Sequence, residues 1–288
     1  MSKKNPEYDF KWCPGCGDFG VRKSMEMAVE RYNMEQELPM ENTVVVAGIG
    51  CSGNLVHLLE GAQPYGIHGL HGRTLPVAFG IKMARPELNV LIVAGDGDFL
   101  SIGGEHIAPQ AQRNLNVTAI IMDNGVYGLT KGQSSPTTEL GVITPTTPYG
   151  KLEGALNPLE LYLALGVNFI ASGYSVKPRD LADLIYQGMS YKGFSIVHVQ
   201  SPCTTYNDNY EALKGNTKKG IAPLAWDVPD DHNTADRGAA YGLLQKGGIP
   251  LGVIYQNSDS EPLEERFGNI AQKVRVRDLE QQLQAFAI

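Results

Sequence analysis

Residues 89–128 read NVLIVAGDGDFLSIGGEHIAPQAQRNLNVTAIIMDNGVYG, and the order of patterns within them decides the fold. NVLIVAG (89–95) is an unbroken, β-branched apolar run of strand length, as expected of a strand buried on both faces. IGGEHIAPQAQRN (102–114) has helical spacing, with Pro109 set against its continuity. NVTAIIMDN (116–124) is a second buried strand. Strand, helix and strand in this order form a βαβ unit, whose two strands lie parallel.

Ligands of parallel sheets bind outside the carboxyl ends of the strands. Here those ends carry Gly95-Asp96-Gly97-Asp98 and Asn124-Gly125-Val126-Tyr127-Gly128. A carboxylate oxygen, an amide oxygen and a backbone carbonyl are hard ligands suited to Mg²⁺, which also takes diphosphate oxygens. Gly95 and Gly97 let the backbone approach such phosphates, and Gly103 with Gly104 leaves N–H groups for an anion. The plain alternative is an Asp capping a helix and an Asn in a turn.

The alternation continues outward. Residues 18–32, 73–85, 157–166 and 177–191 read as helices; 43–49, 167–173 and 194–203 read as strands. The fold class is therefore α/β, a doubly wound and mostly parallel sheet. Two more strand ends add Gly50-Cys51-Ser52-Gly53 and Cys203 to the same edge. From 204 to 230 the pattern gives way to polar and aromatic residues, followed by a helix (234–246), a strand (250–256) and a final helix (276–287). Two units are expected: an α/β domain over 1–205 and a C-terminal arm over 206–288 that packs on the core and on a partner subunit.

The net charge of −7, with no Lys/Arg run, argues against nucleic acid as a main partner. The opening MSKKNPEYDF has no apolar core of a signal peptide, and no apolar run is long enough to span a bilayer. A cytoplasmic protein with no membrane partner is expected, and its four cysteines are then ligands or bystanders rather than disulfides. FKWCPGCGDFG (10–20) holds two of them. Taken alone, that C-x-x-C serves zinc, thiol–disulfide exchange or half of an iron–sulfur site equally well.

The GDG motif followed after one helix by Asn resembles the thiamine-diphosphate motif. More narrowly, WCPGCGDFGV (12–21), GIGCSGN (48–54), GLHGRTLPVAFGIK (69–82), DNGVYGLTKGQSSPTT (123–138) and SPC (201–203) occur in the order expected of the β subunits of 2-oxoacid:ferredoxin oxidoreductases. The resemblance covers residues 10–205 well and the tail loosely. It implies the diphosphate-binding domain of a thiamine-diphosphate fold. Asp96, Asn124 and the Val126 carbonyl would hold Mg²⁺. Ile49, Gly50, Cys51, Ser52, His68 or His71, Arg73, Gly95, Gly97, Asp98, Gly128 and Leu129 would contact thiamine diphosphate. Cys13, Cys16, Cys51 and Cys203 would bind one [4Fe–4S] cluster.

Chemistry supports the last assignment independently. A structural zinc site draws two close pairs of ligands, and a thioredoxin-like motif has no use for two distant cysteines, whereas a [4Fe–4S] cluster takes four thiolates. The alternative is one zinc or redox pair plus two core cysteines. For His68 and His71, in the Gly-rich GIHGLHGR, a diphosphate contact and a satisfied loop role stand side by side.

The activity implied is oxidative decarboxylation of a 2-oxoacid, 2-oxoglutarate favoured, with coenzyme A to acyl-CoA and carbon dioxide. Electrons would pass through the cluster to ferredoxin. The Glu that activates the coenzyme would come from a partner α chain, in an αβ or (αβ)2 assembly. The rivals are a non-redox thiamine-diphosphate decarboxylase β chain, pyruvate as substrate, and a metal-bearing interaction protein built on an inactive copy of the fold.

Overall fold

The computed structural model describes residues 12–273, 278–284 and 286. An eight-stranded sheet runs through the described chain. In chain order its strands are β1 (Thr43–Ala47), β2 (Tyr65–His68), β3 (Asn89–Gly95) and β4 (Val117–Asp123), then β7 (Phe169–Tyr174), β8 (Phe194–Gln200), β9 (Ala225–Asp227) and β10 (Ile249–Gln256); β5 (Val126–Tyr127) and β6 (Gln133–Ser134) form a separate small ladder. The order across the large sheet is β2-β1-β3-β4-β8-β7-β10-β9. Pairing is parallel throughout, apart from β10, which runs antiparallel to β7. The parallel sheet read from the sequence is therefore present, and the carboxyl ends of β1, β3, β4 and β8 share one edge.

Strand residues alternate between two cores, as the pleat requires. Val44, Val46, Ile92, Ala94 and Ile121 face α3 (Thr74–Ala84), α4 (Ile107–Arg113), α5 (Pro158–Leu165) and α8 (Arg237–Leu244). Val45, Ala47, Leu91, Val93, Ile120 and Met122 face α1 (Asp18–Glu35), α2 (Leu55–Leu58) and α6 (Pro178–Ser190). Burial on both sides explains the unbroken apolar runs. Ile92 is fully buried at the centre of the first core. Ile92→Ala is expected to lower unfolding stability by about 2–5 kcal/mol, read from the shift of the urea midpoint.

Local signals set the helix ends. The Asn157 side chain accepts from the Glu160 N–H at 3.4 Å, Pro158 follows at the first helical position, and Gly166 ends α5 in the left-handed conformation. Asp236 Oδ1 caps α8 by accepting from the Gly238 and Ala239 N–H groups.

Several expectations are corrected. The helix expected over 102–114 is divided: a π-helical turn spans Gly97–Ile102, a 3₁₀ turn spans Gly104–His106, and only α4 is α-helical. Gly103 and Gly104 interrupt it, while Pro109 is accommodated in the first turn of α4, where its missing N–H costs nothing. The strand β2 was hidden in the Gly/Pro-rich stretch before His71; it is a short, largely exposed edge strand and so lacks an apolar pattern. The segment after 205 contributes α7 (Tyr210–Lys214), β9, α8 and β10, then α9 (Leu263–Lys273) and α10 (Leu279–Gln284). Through β10 it extends the main sheet. The helix expected over 276–287 lies partly outside the described residues. No described helix is long and apolar enough to cross a membrane.

Candidate active site at the carboxyl edge of the sheet

A cleft opens where the loops after β1, β3 and β4 meet. It is lined by Ile49–Ser52, His71, Gly95–Asp98, Asn124 and Val126–Thr130. Thirteen of the residues singled out from the sequence thus converge on one cleft: Ile49, Gly50, Cys51, Ser52, His71, Gly95, Asp96, Gly97, Asp98, Asn124, Val126, Gly128 and Leu129. Gly50 has φ +150° and open space where a side chain would stand, so its backbone is bare to an approaching ligand. At Gly97 a Cβ would meet the ring of Tyr127, whose hydroxyl donates to the Gly97 carbonyl at 3.1 Å. Tyr127 and Thr130 line the cleft as well, although only their neighbours were singled out.

Asp96 is buried at the end of β3. The Thr137 hydroxyl stands 2.7 Å from its Oδ2, and Ser135 and the Asn124 N–H also hydrogen-bond it. Burial raises its pKa to about 7, Asp123 pushes the same way, and those hydrogen bonds pull it down. A carboxylate so held is short of positive charge. Asn124 Oδ1 accepts from the Val126 N–H at 3.0 Å, which fixes the loop carrying the third oxygen donor. The carboxylate, amide and carbonyl oxygens at one cleft fit a hard divalent cation.

Asp98 is engaged within the chain. Its Oδ1 accepts from the Ile49 N–H at 2.9 Å, from the Gly72 N–H at 2.8 Å, and pairs with His71 Nδ1. It ties the loops after β1 and β2 to β3, and it holds His71 at the cleft edge. His68 and Arg73 do not line the cleft. His68 Nδ1 lies 2.7 Å from His57 Nε2, and its own buried Nε2 has no hydrogen-bond partner. Arg73 donates to the carbonyls of Gly72 and Ile102 and pairs with Glu105 at 3.1 Å.

The four cysteines are all free thiols. Three distant segments bring them together. The Cys16 N–H closes the C-P-G-C turn onto the Cys13 carbonyl at 3.0 Å. The Gly17 N–H donates to the Pro202 carbonyl at 3.0 Å, and Thr204 Oγ1 to the Pro14 carbonyl at 3.0 Å. Trp12 Nε1 donates to the Cys51 carbonyl at 2.8 Å. A Cβ on Gly128 would stand 3.4 Å from Cys51 Sγ and 3.9 Å from Cys203 Sγ, so both thiols flank one point of the cleft rim.

Burial pushes the Cys51 thiol up to about 11, with Asp18, Cys203 and Cys13 acting in the same direction. Burial likewise drives Cys16 upward. As thiolates these groups would need positive partners. Among the described residues no three or more His, Cys, Asp or Glu stand close enough to hold a single metal ion. Beside the cysteines, buried Asp18 accepts from Ser201 Oγ at 2.6 Å, and burial raises its pKa to about 6.

Sequence reasoning missed Thr137, Asp123 and His198. Thr137 lies within SPTT, but its approach to Asp96, 41 residues away, is tertiary and leaves no local pattern.

Comparison with known proteins follows the same outline. Residues 14–199 match the family described as thiamine pyrophosphate enzyme, C-terminal TPP binding domain, and residues 203–272 match the C-terminal family of the pyruvate ferredoxin oxidoreductase beta chain. The β subunit of 2-oxoacid:ferredoxin oxidoreductase 2 from Aeropyrum pernix is 39% identical over 90% of this chain and 84% of its own length. The 2-oxoglutarate synthase subunit KorB of Archaeoglobus fulgidus is 40% identical over 72% of this chain and 77% of its own. A solved 2-oxoglutarate:ferredoxin oxidoreductase from Magnetococcus marinus, bound to 2-oxoglutarate, coenzyme A and succinyl-CoA, superposes with a TM-score of 0.86 at 36% identity, over 98% of this chain and 94% of that one. With the ordered motifs, the parallel sheet and the cleft at its carboxyl edge, these similarities establish that the chain belongs to the β subunits of the 2-oxoacid:ferredoxin oxidoreductases.

Proposed function

We propose that this chain carries the thiamine diphosphate, Mg²⁺ and one [4Fe–4S] cluster of a 2-oxoacid:ferredoxin oxidoreductase that converts 2-oxoglutarate and coenzyme A to succinyl-CoA and carbon dioxide. The observation that carries the reading is the meeting of the Asp96–Asn124 edge with the free cysteines: Cys51 itself lines the cleft, and a Cβ on Gly128 would stand between the Cys51 and Cys203 thiols. Bound thiamine diphosphate supplies the electron sink for decarboxylation. Asp96, Asn124 and Val126 hold the cation and, through it, the diphosphate. Gly50 leaves its backbone open to the phosphates, the lack of a side chain at Gly97 makes room for the Tyr127 ring, and Asp98 holds His71 at the cleft edge. Cys13, Cys16, Cys51 and Cys203 hold the cluster; thiolates that bind different irons need a wider spacing than a single-ion site. The choice of 2-oxoglutarate over pyruvate follows the names of the relatives. Ferredoxin as acceptor, and a cytoplasmic location that keeps the thiols reduced, belong to the same reading.

The division into a cofactor-binding domain over 1–205 and an extension over 206–288 that also meets the α subunit belongs to this proposal. The cleft on this chain measures about 100 Å³, well below the ~300–1,000 Å³ of complete small-molecule sites. A second chain completes it and brings the activating carboxylate. The isolated chain, reconstituted with cofactors, is expected to give no 2-oxoglutarate-dependent dye reduction, and activity is expected on adding the α subunit. Full turnover by the isolated chain would overturn this.

A further inference from the structure

Behind the cation edge a line of polar side chains runs into the core, and none of them lines the cleft. Asp123 ends β4. Its Oδ1 accepts from the Gly125 N–H at 3.0 Å, and its Oδ2 lies 2.9 Å from His198 Nε2. His198, on β8, is 1% exposed, and its Nδ1 is 3.3 Å from the hydroxyl of Tyr162, which is fully buried on α5. The Thr137 hydroxyl sits between two carboxylates, 2.7 Å from Asp96 Oδ2 and 2.8 Å from Asp123 Oδ1. Thr137 is held in place by its neighbours. The buried Lys151 Nζ bonds the carbonyls of Ser135, Pro136 and Thr138, and Thr138 Oγ1 donates to the Gly125 carbonyl.

Counting protons gives the direction of the line. Burial keeps the Tyr162 phenol protonated, and a buried O–H needs an acceptor. His198 Nδ1 is the one within reach. An imidazole that accepts at Nδ1 carries its hydrogen at Nε2 and donates it to Asp123. Asp123 then has donors from His198 and Gly125. The Thr137 hydroxyl has one hydrogen to give to two carboxylates. With Asp123 supplied by His198 and Gly125, that hydrogen is free for Asp96 Oδ2, the shorter of the two contacts, where it adds to the bonds from Ser135 and the Asn124 N–H.

We propose that Tyr162, His198 and Asp123 form a buried positioning line that commits the Thr137 hydroxyl hydrogen to Asp96 and so sets how tightly this edge holds a divalent cation. The inference rests on the reading of Asp96 as a cation ligand. None of the three touches the cation or substrate; they act through Thr137. Groups behind metal ligands that fix ligand orientation are worth about 10–100-fold in metal affinity.

The test is Mn²⁺ binding to the αβ complex in the presence of thiamine diphosphate, measured from the EPR signal of free Mn²⁺. His198→Leu and Thr137→Val are expected to weaken Mn²⁺ binding about 10–100-fold. His198→Gln, which keeps a donor toward Asp123, and Thr137→Ser, which keeps the hydroxyl, are expected to bind near wild type. Tyr162→Phe, which removes one oxygen and preserves the packing, is expected to fall between and to serve if His198→Leu does not fold. Wild-type affinity in Tyr162→Phe and Thr137→Val, or a His198→Gln protein as weak as the Leu variant, would overturn the inference. Asp96→Asn separates the two levels: unchanged Mn²⁺ binding in that variant would refute the ligand assignment itself.

Discussion

Asp96→Asn is expected to abolish retention of thiamine diphosphate while leaving the protein folded. Asp96 contributes the one buried formal charge in the hard-ligand set of the cleft. Removing one partner of a buried charge pair costs about 3–5 kcal/mol, or roughly 10²–10³-fold in affinity. Isothermal titration of the αβ complex with thiamine diphosphate and Mg²⁺ reads that loss directly. Stability without the cation changes in the opposite sense. The folded pKa of Asp96, about 7, lies above the ordinary carboxylate value of 3.8. The ionised form is therefore disfavoured by folding, and the cation-free wild type loses stability as pH rises from that lower value through about 7. The Asn variant has no such loss. Its cation-free melting temperature at pH 8 is expected to equal or exceed that of the wild type, which distinguishes a binding defect from misfolding.

The second large effect is expected at the cysteines. Cys203→Ser removes one thiolate from the set that Trp12, Gly17 and Thr204 draw together. Serine is a poor iron ligand at neutral pH, because its hydroxyl stays protonated. Iron content is expected to fall from about four per chain to well below one, with loss of the reduced-cluster EPR signal and of ferredoxin reduction. Thiamine diphosphate binding is expected to persist, since Asp96, Asn124 and Val126 are untouched. Full iron content in this variant would remove Cys203 from the ligand set. Cys51→Ser is expected to behave similarly toward iron, with a further effect on coenzyme binding because Cys51 also lines the cleft.

Much of this architecture was legible because the central strands are buried on both faces. A strand such as β3, apolar from Val90 to Ala94, announces itself by composition, and its parallel neighbours follow from the helices between them. The groups after β1, β3 and β4 could then be collected by the rule that parallel sheets bind ligands at their carboxyl ends. Where burial is one-sided or absent the signal fades. The edge strand β2 is exposed and Gly-bearing, and β9 has only three residues. Side-chain direction was least accessible. Arg73 sits in the same loop as His71, yet it is captured by Glu105 and two carbonyls, while His71 is drawn to the cleft by Asp98. Asp123 and His198 meet through the register of neighbouring strands β4 and β8, and Thr137 reaches Asp123 from the loop after β6.

The most direct test of the whole account is cofactor content together with substrate response. The chain is co-expressed with its α subunit and purified without oxygen. Iron, sulfide and thiamine diphosphate are measured per β chain, and EPR spectra are recorded before and after 2-oxoglutarate and coenzyme A are added. The account predicts about four irons and one equivalent of thiamine diphosphate, with a radical or reduced-cluster signal generated by the substrate. Zinc in place of iron, with no substrate-generated signal, would contradict it and leave at most a non-redox thiamine-diphosphate enzyme.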